Sequence, residues 1–260
     1  MTLGSITGLS ASDYEIRTSQ NGAYDGVYVD NAVIHERYID MNFQISSFKN
    51  SVATRNMLLG FFSPKHKYTL FIERNGVSRR IGAEVASFKI DPESEYDYYV
   101  GDISLMCPDP YFSDAADITK KFLQYAPMLT FPTISPRGAG AISGIQTVSE
   151  TFTIDNEGDA EFGVLVKIEC YGGIMEHPKI SCNDSFVSLP RLTLNPGDAL
   201  IIDTRDYPSI KLNGADYLIY DPRSVFFTLK TGRSTLNIQA DSGVRNARTE
   251  ITYANRYLGV

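Results

Sequence analysis

Two stretches of alternating carboxylates are the first place to look for chemistry. Asp91, Glu93, Glu95 and Asp97 form one, and Asp155, Glu157, Asp159 and Glu161 form the other. In extended chain every second side chain lies on one face, so each stretch presents its acids on one side. Two-carboxylate glycoside hydrolysis needs acids about 5–9 Å apart around a cleft, donated by separate elements. A single alternating stretch does not supply that opposition. Charge along a strand edge or hairpin tip also guards against stray pairing, and both stretches read that way. Asp155-Asn156-Glu157-Gly158-Asp159 resembles a calcium loop only superficially. Its twelfth position, which needs a bidentate Glu, is Val166, and no helices flank it, so it reads as a turn. Asp109, framed by Pro108 and Pro110, reads as turn chemistry too.

Histidine and cysteine are sparse. His35, His66, His177 and Cys107, Cys170, Cys182 show no C-x-x-C or H-x-x-x-H spacing, which argues against a preformed zinc site. Cys170 and Cys182 fall where adjacent strands would bring them together with His177 between, but buried, reduced thiols are the simpler reading. No G-x-S-x-G elbow is present. His35 sits in a strand-like run from Asn31 to Asp40, and His66 lies on a turn between Lys65 and Lys67. The glycine run Gly138-Ala139-Gly140-Ala141-Ile142-Ser143-Gly144 precedes strands instead of a helix, so no helix N-terminus is there to hold an anion. Sugar binding would rest on Tyr207, Tyr217 or Tyr220 near turns. Tryptophan is absent, and 16 tyrosines in a β protein are explained by half-buried strand positions. The expectation is a chain with no catalytic, cofactor-binding or metal-ligating residues, no cofactor, and no enzymatic activity.

Composition agrees with a non-catalytic globular protein. The 260 residues are 43% hydrophobic and 21% charged, with a net charge of −7. The halves 1–135 and 136–260 carry −4 and −3, so neither is a basic arm for nucleic acid nor an acidic tail. The apolar runs, such as Met57-Leu58-Leu59-Gly60-Phe61-Phe62, fall well short of the ~20 residues that span a bilayer. The N-terminus lacks a basic start followed by an apolar core, so no secretory signal is expected and synthesis in a cytoplasm is.

The elements that would position any site are mostly strands. Tyr68 to Arg74 and Val77 to Ala83 flank Asn75-Gly76, a strong hairpin signal because both turn residues need positive φ. Glu84 to Ile90 alternates Val85, Ser87 and Lys89 against Ala86, Phe88 and Ile90, and Val100 to Cys107 ends at Pro108-Asp109-Pro110. Ser47 to Phe62 has helical spacing, and a second short helix is expected over Ser113 to Tyr125 from a Ser113 cap with Asp114 and Asp117 behind it. Prolines and glycines punctuate 126–145, the expected boundary. Beyond it, strands are expected at 149–156, 160–171, 179–182, 185–189, 199–203, 209–212, 224–229, 234–240 and 248–253, with turns at Asn195-Pro196-Gly197-Asp198 and Asn213-Gly214. That spacing describes an antiparallel β-sandwich. The expected division is 1–130, a linker at 131–145, and 146–260.

These stretches carry a resemblance. Ile103-Ser104-Leu105-Met106-Cys107-Pro108-Asp109-Pro110-Tyr111-Phe112 is similar to the end of the N-terminal domain in phage distal tail (Dit) proteins, siphovirus-type tail components. Arg248 to Tyr253, followed by Ala254-Asn255-Arg256-Tyr257-Leu258-Gly259-Val260, resembles that family's closing strand and tail. Leu194 to Thr204, Ile210 to Gly214 and Phe226 to Gly232 match its C-terminal pattern, with Thr231 where the family often has proline. The resemblance implies a mainly β fold. An N-terminal split-barrel-like belt domain with one helix, related to tail-tube subunits, would precede a galectin-like or carbohydrate-module-like sandwich. It implies a hub of the phage tail tip or baseplate, made in the host cytoplasm and located at the distal end of the virion tail. Six copies would form a ring whose lumen continues the DNA channel. The implied partners are the tail tube, a tail-associated lysin or tail spike protein and receptor-binding proteins, with DNA only passing through and no membrane. The competing expectations are an adhesin gripping cell-wall sugar through Tyr217 or Tyr220, and a wall hydrolase using paired acids from the Asp91–Asp97 stretch.

Overall fold

The computed structural model describes residues 2–20, 22, 25–45, 51–92, 99–121, 124–127, 144–147 and 151–260. The chain divides into two compact units, Met1–Ala115 with Arg256–Val260, and Ala116–Asn255. Most of the expected linker at 131–145 lies outside the described residues.

Unit 1 is built on β1 (Thr2–Ile6), β2 (Tyr14–Gln20), β3 (Val27–Ile34), β4 (Arg37–Ile45), α1 (Ser51–Phe61), β5 (Lys67–Arg74), β6 (Val77–Pro92), β7 (Tyr99–Cys107) and β8 (Phe112–Asp114). Its curled sheet runs β1-β4-β7-β6-β8 and ends on the two-residue strand Arg256–Tyr257, while β5 also pairs with β6. The β5–β6 turn is Asn75-Gly76 with φ of 53° and 79°, the positive values that a two-residue hairpin demands. β6 departs from simple alternation. A bulge between Val85 and Ser87 changes the phase, so Ile81, Ala83 and Val85 face the core before it and Ile90 after it. The expected strand run from Asn31 to Asp40 is broken at His35-Glu36, which separates β3 from β4.

Among the described residues of Ser113 to Tyr125, no helix forms. Ser113 to Tyr125 contains β8, then β9 (Ile118–Lys121) and the start of β10 (Gln124–Pro127). Long-range pairing overrides the local cap signal here: Ser113 pairs with Arg80 and with Arg256, and Phe112 is fully buried. The first helix is present as α1, and residues 47–50 of the expected Ser47–Phe62 lie outside the described residues. It docks through Leu58, with Phe62 just beyond its end packing on Phe88, ring centroids 5.0 Å apart.

Unit 2 continues through β11 (Gly144–Thr147), β12 (Thr151–Asn156), β13 (Leu165–Cys170), β14 (Met175–Glu176), β15 (Lys179–Cys182), β16 (Ser185–Ser188), β17 (Thr193–Leu194), β18 (Ala199–Asp203), β19 (Ser209–Leu212), β20 (Ala215–Asp216), β21 (Gly232–Gln239) and β22 (Ala247–Tyr253), after which β23 (Arg256–Tyr257) rejoins unit 1. Sheets β12-β21-β15-β16 and β20-β19-β18-β13-β22-β9 form an antiparallel sandwich. Alternate residues of each fill one core: Ile154, Ile180 and Leu236 from the first, Val166, Leu200 and Ile251 from the second. Two expected strands are reduced. The segment before Leu165 makes isolated bridges at Ala160 and Phe162, the latter with Leu229, and Ser224 to Leu229 buries Phe227 and Leu229 without joining a ladder among the described residues. Their alternation reflects burial alone.

Candidate assembly surfaces

The described residues bring the carboxylates into no common cleft. Asp155 pairs with Arg233 across the β12–β21 ladder at 3.0 Å. Glu161 accepts a hydrogen bond from Thr228 at 2.8 Å, and the Asn156 side chain closes the turn by accepting from the Gly158 N–H. Glu93, Glu95 and Asp97 lie outside the described residues, as do Gly138 to Ser143. Among the described residues, no group of three or more His, Cys, Asp or Glu side chains is placed to hold a metal. Cys170 and Cys182 are buried free thiols in the sandwich core, and His177 instead pairs with Asp241 at 2.7 Å. His66 lies on the turn before β5, and His35 stands 3.6 Å from Glu15. Tyr217 packs partly buried against the sandwich core, Tyr220 meets Phe226 edge to face, and Tyr207 is exposed.

The two motifs that carried the family resemblance meet each other. Arg256 donates to Asp109 at 2.8 Å, and the Asp109 carboxylate also accepts from the Tyr111 N–H. Tyr257 pairs as a strand with Phe112 and donates its hydroxyl to Asp114 at 3.1 Å. The Arg79 guanidinium stacks 3.6 Å over the Tyr257 ring and donates to the Gly259 carbonyl. The Val260 N–H donates to Leu9. The C-terminal pentapeptide is therefore an integral strand and clasp of unit 1.

Arg37, at the start of β4, is the centre of that clasp. Its guanidinium donates to the carbonyls of Pro110 (2.8 Å), Gly8 (2.7 Å), Leu258 (2.7 Å) and Ser10, and lies 4.6 Å above the Phe112 ring. One buried cation thus joins the N-terminal loop, the Pro-Asp-Pro turn and the C-terminal tail. Burial lowers the pKa of Arg37 from its ordinary value. Burial also pushes the neighbouring Cys107 thiol up to about 11 against the pull of Arg37, so it stays neutral near pH 7 and offers the cation no charge partner. The carbonyl set must satisfy the guanidinium by itself. Residue types alone did not point to Arg37, because a lone arginine in a strand carries no spacing signal.

The other feature of unit 1 is surface without cover. Among the described residues, β2 and β3 pair only with each other, as a separate two-stranded sheet. Directly opposed residues of an antiparallel pair share a face. The pairs Tyr14–Ile34, Ile16–Ala32, Thr18–Val29 and Gln20–Val27 therefore make one mainly apolar face, while Glu15–Val33, Arg17–Asn31 and Ser19–Tyr28 make the other, more polar one. The register shift that skips Asp30 is what keeps Val27 and Val29 in line with Ala32 and Ile34. Ile16 is 52% and Val29 66% exposed. On α1, Val52, Met57, Leu59 and Phe61 are exposed as well. Apolar surface so arranged is characteristic of a protein–protein contact.

Comparison with known proteins accords with this geometry. Residues 157–257 match the family model described as the C-terminal domain of siphovirus-type tail components. No curated protein matches the chain. Among solved structures, the chain is similar to the SPP1 Dit protein, described as a paradigm of the hub adsorption apparatus in Gram-positive-infecting phages. That match has 11% identity and a TM-score of 0.70, and covers 98% of this chain and 92% of the other. It is also similar to a chain of the phage P2 baseplate in its calcium-activated conformation, with 9% identity, a TM-score of 0.54, and coverage of 99% and 91%. Residues 157–257 thus match the C-terminal domain model of siphovirus-type tail components, and the chain as a whole is similar in fold to the SPP1 Dit protein.

Proposed function

We propose that this chain is a structural hub of a phage tail tip or baseplate, in which six copies close into a ring through unit 1 and hold neighbouring tail proteins. The observation that carries this reading is the uncovered apolar face of the β2–β3 hairpin, in a chain with the Dit fold. An isolated two-stranded hairpin is marginal in water, and a face of Tyr14, Ile16, Val27 and Val29 gains stability once another surface covers it. The same patch repeated around a closed rotation makes a ring. The role is structural, and the site of action is the distal end of the virion tail. The ring would join the tail tube to a tail-associated lysin or tail spike protein, with receptor-binding proteins at its rim. Its lumen would carry on the DNA channel. Six copies at −7 each total −42, which suits a passage along which DNA slides without sticking.

Negative-stain electron microscopy of the pure chain, alone and mixed with its tail-tube protein, tests the reading. Sixfold annuli with an open centre are expected. Single particles under every condition would reject it.

A further inference from the structure

Unit 2 carries a polar recess of about 510 Å³ that the hub reading leaves unused. Its lining includes one cross-strand row on the outer face of the sheet β12-β21-β15-β16. Lys179 stands opposite Gln239 on one side and Ser188 on the other, while their neighbours Ile180, Ile238 and Val187 turn into the core. His177 and Asp241 complete the polar lining.

His177 is held there at a backbone cost. It adopts a φ of 54°, and the other non-glycine residues with positive φ among those described are Asn75, Asn183 and Asn213. Each of those asparagines lies in a two-residue hairpin turn, which demands such a conformation. No hairpin asks it of His177, because β14 pairs with β17 and not with β15. Strain of this kind, at a side chain with chemistry to offer, points to function. The surroundings hold it in place: the His177 N–H donates to the Leu192 carbonyl at 2.8 Å, and the Asp241 N–H to the Glu176 carbonyl at 3.0 Å. The Asp241 carboxylate accepts from the imidazole at Nδ1, 2.7 Å away, so Nε2 is the ring atom left for a ligand. Lys179 makes no ion pair among the described residues and lies 4.6 Å over the Phe186 ring. The Gln239 amide and the Ser188 hydroxyl make no hydrogen bond among the described residues either.

We infer that this recess is a binding site for a neutral polyhydroxylated ligand, a saccharide unit. Lys179 donates, Asp241 and Nε2 accept, and Gln239 and Ser188 do both, which is the mixture that adjoining hydroxyls of a sugar ring require. Pro190 and Val244 supply an apolar wall for its C–H face. A simple anion is disfavoured because Asp241 offsets the charge of Lys179. Tyr207, Tyr217 and Tyr220 do not line the recess. Without an aromatic platform one such site binds weakly, and repetition around a ring would add avidity. Only that avidity rests on the hub reading; the site itself does not.

Saturation-transfer NMR on the full chain reads weak binding whether or not the chain assembles. The probes are glucose, galactose, rhamnose and N-acetylglucosamine, with glycerol 3-phosphate as the charged comparison. At least one of the neutral sugars should receive saturation. Asp241→Ala and Gln239→Ala should each weaken its affinity about tenfold, at unchanged melting temperature because both side chains are exposed. Tyr207→Ala should leave it unaltered. Silence from every neutral sugar, or binding that survives both recess variants, would overturn the inference. So would a stronger signal from glycerol 3-phosphate than from any neutral sugar, which would mark an anion site. Annuli that bind no sugar would sink this inference and leave the hub reading intact, and recess-dependent binding by a chain that never assembles would do the reverse.

Discussion

The two units of this chain use apolar residues in opposite ways. Unit 2 gathers twenty-four buried apolar side chains into one cluster, and seven large apolar residues are exposed among its described residues. Unit 1, only slightly smaller, buries twelve and exposes fourteen among its described residues. Core size accounts for independent stability, so unit 2 resembles a finished domain. Unit 1 compensates for its thin core with the Arg37 clasp and leaves more apolar surface exposed. Nearly the same length of chain can thus make a well-filled sandwich or, on the reading proposed above, a part to be completed by assembly.

Removing the clasp should separate the two units most sharply. Arg37→Ala leaves the carbonyls of Gly8, Ser10, Pro110 and Leu258 without their donor, and should cost unit 1 about 3–5 kcal/mol. Calorimetry should show the lower transition moving while the unit 2 transition stays in place. A matching cut in unit 2, Leu200→Ala in the fully buried core, should cost about 2–5 kcal/mol and move the other transition alone. If either variant shifts both transitions together, the units are not independent.

Deleting Arg256–Val260 is the next largest. It removes the Asp109 ion pair, the pairing of Tyr257 with Phe112 and the Leu258 and Gly259 acceptors, and should cost unit 1 about 2–4 kcal/mol. Unit 2 ends at Asn255 and should be unaffected. Proteolysis with fragment mapping would report which unit opens.

The hairpin should behave in the reverse manner. Ile16→Ser with Val29→Ser removes exposed apolar groups, so the monomer's stability should change by no more than about 0.5 kcal/mol. Sedimentation should nevertheless show self-association lost. A stability loss of several kcal/mol would mean that these residues are core, and the contrast between the units would fail.

Much of this architecture could be read in the sequence. Asn75-Gly76 and Asn213-Gly214 mark their hairpins because positive φ is a local demand, met at both. Strands 179–182, 199–203 and 209–212 appear with the expected bounds because each alternates against a single core. The rest depends on contacts distant in sequence. The bulges at Val85/Ser87 and at Asp30 change phase without any local mark, and the latter decides whether the hairpin has one apolar face or two mixed ones. Ser113 to Tyr125 carries good helix-cap residues, but Phe112 and Ile118 find strand partners. The Arg37 clasp was invisible for the same reason: one of its acceptors, Leu258, lies 221 residues away.

The smallest predicted effect concerns acid. Asp198, held by the Asn213 amide and the Asn195 N–H, has its pKa lowered. So does Asp203, where Arg205 more than offsets burial, and Asp221, paired with Arg223. A lowered carboxylate contributes stability above its ordinary value near 3.8 that is lost as pH falls through the folded value. Unit 2 should therefore weaken only below about pH 4, and Asn213→Ala should shrink the Asp198 part of that loss in a pH titration of melting temperature, leaving the share held by Asn195.

Hydrogen–deuterium exchange reports on the central claim, that unit 1 keeps an apolar surface for assembly, at the residues concerned. Backbone amides of Tyr14–Gln20 and Val27–Ile34 would be followed in dilute chain and in annular particles, with Leu165–Cys170 of unit 2 as the internal reference. The account predicts rapid exchange of the hairpin when dilute and strong protection on assembly, with the reference strand unchanged. Equal protection of the hairpin in both states would contradict it.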